Sequence, residues 1–60
     1  MADRFTVPEL IAEAAREVGL RRTVYPRWVQ AGRMTRKEAD LRIELMEAIL
    51  RRLTRTAAID

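Results

Sequence analysis

The chain has no cysteine and no histidine. Without cysteine it forms no disulfide and offers no thiolate to a metal or a substrate. Without histidine it lacks the usual imidazole base, and zinc would need an all-carboxylate site. Serine is absent as well. The remaining hydroxyls are Thr6, Thr23, Thr35, Thr54, Thr56 and Tyr25, and no base stands at a telling spacing from any of them. The expectation is a protein that is not an enzyme and binds no cofactor. No apolar run approaches the ~18 residues that cross a bilayer. The opening MADRFTVPEL lacks the basic start and apolar core of a signal peptide. These absences lead to a cytoplasmic expectation with no membrane contact.

Only two glycines and two prolines punctuate the 60 residues. Thr6-Val7-Pro8-Glu9 reads as a capping box. The threonine hydroxyl accepts from the backbone of the third helical residue, and the glutamate side chain answers back. Phe5 and Leu10 flank the box as a hydrophobic staple, and Pro8 sits where its missing N–H costs nothing. Thr35-Arg36-Lys37-Glu38 repeats the signature, with Met34 and Ala39 as its staple. Gly32 is the natural stop between the two.

Two helices follow, one over about 7–31 and one over about 36–56, with residues 56–60 frayed. Val7, Ile11, Ala14, Val18, Tyr25 and Trp28 fall on one ladder of fours and threes, interrupted only by Arg21. That shared register favours one long first helix, kinked near Pro26, over a helix ending at Gly19 and a separate short one. The proline works against continuity, costing roughly 3 kcal/mol inside a helix. Ala39, Ile43, Met46, Leu50, Leu53 and Ala57 make the second ladder, which Leu45 and Ile49 widen. Glu38–Arg42 and Glu47–Arg51 have the spacing of favourable pairs along the helix.

Two amphipathic helices joined by a tight loop pack antiparallel. The fold expected is therefore all-α, a single helical-hairpin domain. A domain this small usually has a staple, and with disulfides and zinc removed the staple left is another subunit or docking on a partner. Two hairpins closing into a four-helix bundle would cover their wide apolar stripes. The expectation is a homo-oligomer, with Ile11, Val18, Tyr25, Trp28, Ile43, Met46, Leu50 and Leu53 at the association interface.

Residues 21–37, RRTVYPRWVQAGRMTRK, carry six basic residues and no acidic ones. Acids lie on both sides: Asp3, Glu9, Glu13 and Glu17 before, Glu38, Asp40, Glu44 and Glu47 after. The net charge is only +3, so the asymmetry is one of placement. Arg36 and Lys37 occupy the first turn of the second helix, where the helix dipole disfavours cations. Arg27, Arg33, Arg36 and Lys37 could contact a nucleic acid through its phosphates, with Trp28 or Tyr25 stacking on an unpaired base. The plainer reading has arginines solvating a hairpin tip while Tyr25 and Trp28 pack inward. Arg21 and Arg22 have two readings also: both snorkel, or one pairs with a carboxylate across an interface. A helix-turn-helix DNA reader normally has three helices, and the first turns of the second helix here carry acids that repel phosphate.

The run RRTVYPRWVQAGRMTRKEADLRIELMEAI resembles a pattern in short uncharacterised proteins of bacterial and phage or prophage origin. The shared features are an arginine pair, a VYPRWV-like block, a GRM-like turn and a closing IELMEAI-like run. The resemblance covers about half of the chain and implies a small accessory protein. It carries over no catalytic or ligand-binding residue. The functional expectation is a helical association protein. Binding of nucleic acid at the basic tip, or inhibition or adaptation of a host protein partner, are the alternatives.

Overall fold

A computed structural model describes residues 4–59. The described chain forms two α-helices, α1 over Val7–Gln30 and α2 over Arg36–Ile59, packed as a hairpin. The reciprocal capping box starts α1. The Thr6 amide donates to Glu9 Oε1 at 2.9 Å, and the Glu9 amide donates to Thr6 Oγ1 at 3.3 Å. The box at α2 is present in half: the Glu38 amide donates to Thr35 Oγ1 at 3.1 Å.

The turn is closed by backbone geometry. Gly32 takes φ +75°, in the left-handed region that glycine enters without a Cβ penalty. The Gly32 amide donates to the Val29 carbonyl at 3.1 Å, and the Arg33 amide donates to the Trp28 carbonyl at 2.8 Å. This is the paired-bond Schellman closure of a helix C-terminus. Ala31, placed in the helix on sequence grounds, is instead its C-cap.

α1 runs as one element through Gly19 and Pro26. The apolar register that spans both positions explains why: breaking the helix would unseat Tyr25 and Val29 from their half-buried sites. α2 extends past the expected end at residue 56 to Ile59. Thr54 and Thr56 turn their hydroxyls onto the carbonyls of Leu50 and Arg52 at 2.8 and 2.9 Å, which satisfies both hydroxyls within the helix. Residue 60 lies outside the described residues.

The two helices cross-link on one side through an ion pair between Arg22 and Glu47. Nearby, Arg21 Nη1 donates to the Arg42 carbonyl of α2 at 2.9 Å and its Nε bonds Glu17 at 2.9 Å. Of the two readings of Arg21 and Arg22, these contacts favour pairing, here between the two helices of one hairpin. One pairs with a carboxylate of the opposite helix, and the other is half-buried and ties the two helices through backbone. Glu47 therefore serves the hairpin crossing, and among the described residues it makes no salt bridge to Arg51.

The interior is thin. Among the described residues only Ala14, Val18 and Ala39 are buried, and no large side chain is fully covered. The molecule is a rod of 42 × 19 × 19 Å. Its radius of gyration is 14.0 Å, against roughly 10 Å for a compact chain of this length.

Candidate association surface

Three shallow concavities run along one side of the hairpin and share residues. The first is lined by Phe5, Glu9, Leu10 and Glu13. The second is an open groove between the helices, lined by Leu10, Ala14, Met46, Ile49 and Leu53, with Glu13 and Glu17 beside them. The third lies on α1 among Glu17, Leu20, Arg21, Val24, Tyr25 and Trp28. Leu10 joins the first to the second, and Glu17 joins the second to the third. Together they trace an apolar track from Phe5 at the open end to Trp28 near the tip.

α2 adds its own exposed stripe. Leu41, Leu45 and Ile49 follow at steps of four, which places them on one face of the helix. They are 56%, 52% and 49% exposed. The opposite side of the hairpin is different in kind. There Ala15, Val18, Gly19 and Leu50 lie with Arg22, Glu47 and Arg51, and the Arg22–Glu47 pair spans them. One side is thus crossed by the Arg22–Glu47 pair, and the other carries the apolar track, flanked by Glu9, Glu13, Glu17 and Arg21.

The eight interface residues expected from the ladders are mostly those that join α1 to α2. Val18 is buried within the hairpin, so it has no area left to offer a second chain. Ile11, Tyr25, Ile43, Met46, Leu50 and Leu53 are half-buried. Trp28, expected to pack inward, is 39% exposed and stacks on Tyr25 with ring centroids 5.5 Å apart. Leu10, Leu20 and Leu41 were outside the expected set, yet they carry much of the exposed apolar area. The signal that finds them is the flank of each ladder rather than its centre.

No family model matches the chain, and neither a curated protein nor a solved structure is significantly similar to it. The physical features of the surface therefore carry the functional reading by themselves.

The four cations named for phosphate contact, Arg27, Arg33, Arg36 and Lys37, are all exposed and lie at or near the tip. None is in a salt bridge among the described residues. The structure does not gather them into one patch. At about 100° per residue, Arg27 stands on the side of α1 opposite Val18, and Lys37 on the side of α2 opposite Ala39. The two helices pack through Val18 and Ala39, so these two cations point away from each other. Arg33 shares a shallow concavity with Trp28.

Among the described residues, no group of three or more acidic side chains is placed to hold a metal ion. No helix is long and apolar enough to cross a membrane. The acids of α1 that titrate abnormally do so for local reasons. Glu9 is held below its ordinary value by the Thr6 backbone N–H and then by the Thr6 hydroxyl. Glu13 is lowered by its hydrogen bond to Arg16 and by the charge of that guanidinium.

Proposed function

We propose that this chain is a helical association protein whose apolar side receives a second copy of itself, the two hairpins closing into a four-helix bundle. The observation that carries the reading is the amount of surface the single hairpin leaves open. It exposes 5087 Å². A folded monomer of 7.0 kDa is expected to expose roughly 4,000 Å². The surplus of about 1,000 Å² compares with the roughly 800 Å² per partner of a standard protein interface. The large apolar side chains left exposed include Leu10, Leu20, Leu41, Leu45, Ile49 and Trp28. An accessory role of the kind the sequence resemblance implies would be exercised through such pairing.

Dilution tests the reading. Helical ellipticity and Trp28 emission should both change as the chain is diluted from high to low micromolar concentration. Signals that stay constant over that range would count against self-association. The experiment needs no label, because Trp28 is the sole tryptophan.

A second reading, nucleic-acid binding by the tip, is favoured by one observation: its four cations have no carboxylate partner among the described residues. Binding of this kind weakens steeply with salt, because each phosphate contact releases counterions. Arg33→Glu with Lys37→Glu should weaken it without unfolding the hairpin. Equal affinity in that variant would exonerate the tip.

A further inference from the structure

We infer that Arg21 and Arg22 form a two-sided clasp that fixes the rotation of α2 against α1, and so decides which apolar stripe the hairpin leaves outside. The clasp works within one hairpin, independent of the self-association proposed above.

α2 carries two apolar stripes. Ala39, Ile43, Met46, Leu50 and Leu53 form one, and they are buried or half-buried in the hairpin. Leu41, Leu45 and Ile49 form the other, and they are exposed. The centres of the two lie about 120° apart around the helix. Apolar attraction is non-directional, so it does not by itself prefer the first stripe to the second. Interlocking shape usually singles out one packing. Here the buried residues among those described are Ala14, Val18 and Ala39, which are too small to key one helix into the other.

The two arginines add direction. They stand about 100° apart around α1, and the buried Val18 lies between their bearings. Arg21 lines the concavity on the side of the apolar track, and Arg22 lines the one on the opposite side. α2 is therefore held from both flanks. Arg21 occupies a rung of the α1 ladder, with its side chain 25% exposed. Its Nη1 donates to the Arg42 carbonyl, its Nε donates to Glu17, and its guanidinium stands 5.9 Å from the centroid of the Tyr25 ring. Arg22 pairs with Glu47. Hydrogen bonds, unlike apolar contacts, weaken steeply with misalignment. Glu47 is two residues from Leu45, about 160° around α2. Turning Leu45 onto α1 sends Glu47 to the far side and carries the Arg42 carbonyl away from Arg21. The rolled arrangement loses both flanks of the clasp. An arginine on an apolar rung fits a role in specifying one arrangement rather than in raising stability.

The absence of native cysteine makes the test direct. Ala39→Cys and Leu45→Cys are made singly, and their rates of modification by a thiol reagent are compared with and without the clasp. Ala39 is 3% and Leu45 52% exposed, and cysteine is at home in a small buried apolar site. Rates are read at a dilution where the Leu45→Cys rate no longer changes with concentration. A rate at position 45 that never depends on concentration counts against the self-association and leaves the clasp test intact. Arg21→Met with Arg22→Ala removes the clasp, and Arg21→Lys with Glu47→Gln weakens it. With the two rotations about equally populated, the rate at position 39 rises several-fold and the rate at position 45 falls about twofold. Opposite shifts in either variant are the expected result. Any other pattern overturns the clasp: rates that rise together mark simple destabilisation, and unchanged rates mean that packing selects the rotation without the arginines.

Discussion

Leu45→Ala with Ile49→Ala removes the exposed apolar stripe of α2 while keeping its helix propensity, since alanine is the best helix former. Leu45 is 52% and Ile49 49% exposed in the single hairpin. About half of each side chain is therefore left for a partner to cover. Full burial of such a side chain is worth about 1.5–3 kcal/mol, so the remaining half is worth roughly 1 kcal/mol. Two positions in each of two copies give four such losses. The Cβ that alanine retains trims the total to about 3 kcal/mol, or about two orders of magnitude in the dimer dissociation constant. The assay is thermal melting by circular dichroism at several concentrations. A dimer melts at a temperature that rises with concentration, and the variant should lose that dependence over the range where the wild type shows it. A melting temperature equally independent of concentration in both proteins would refute the reasoning. So would an unchanged concentration dependence in the variant. The half of each side chain already covered by the hairpin is also lost, so the variant should melt lower at every concentration.

Four further outcomes follow from the backbone and the caps. Gly32→Ala should destabilise by about 1 kcal/mol, because an L side chain is strained in the left-handed conformation even though the space around it is empty. Gly19→Ala, mid-helix and equally unobstructed, should stabilise by about 0.5–1 kcal/mol; denaturant titration checks both signs. Pro26→Ala restores a backbone bond to the Arg22 carbonyl and should stabilise by up to about 3 kcal/mol, and a lower denaturation midpoint would contradict that. Glu9 has a lowered pKa in the folded chain, so its contribution is present above its ordinary value of 4.5 and lost as the pH falls below it. Glu9→Gln should flatten part of that acid decline in melting temperature.

The helices were legible because their start and stop signals are local. Thr6, Pro8 and Glu9 need only each other to begin α1, and Gly32 needs only its own φ to end it. Continuity through Gly19 and Pro26 was harder to read, because two local penalties oppose a register that only packing can reward. Arg21 and Arg22 were left with two readings for a related reason. Their partners, the Arg42 carbonyl and Glu47, lie on the opposite helix, and no spacing rule reaches across the turn. The candidate surface was legible in part. A ladder identifies the centre of an apolar stripe, yet the centre is what the hairpin itself covers. Leu10, Leu20 and Leu41 sit on the flank, and which flank stays open depends on how α1 is rotated against α2. The basic stretch 21–37 was plain in sequence, but its divergence at the tip needed the positions of Arg27 and Lys37 on two helices.

Sedimentation equilibrium at micromolar concentration tests self-association most directly. A mass twice the 7.0 kDa of the chain, falling toward the single-chain value on dilution, is the expected result. A well-folded species that stays at 7.0 kDa throughout would contradict it.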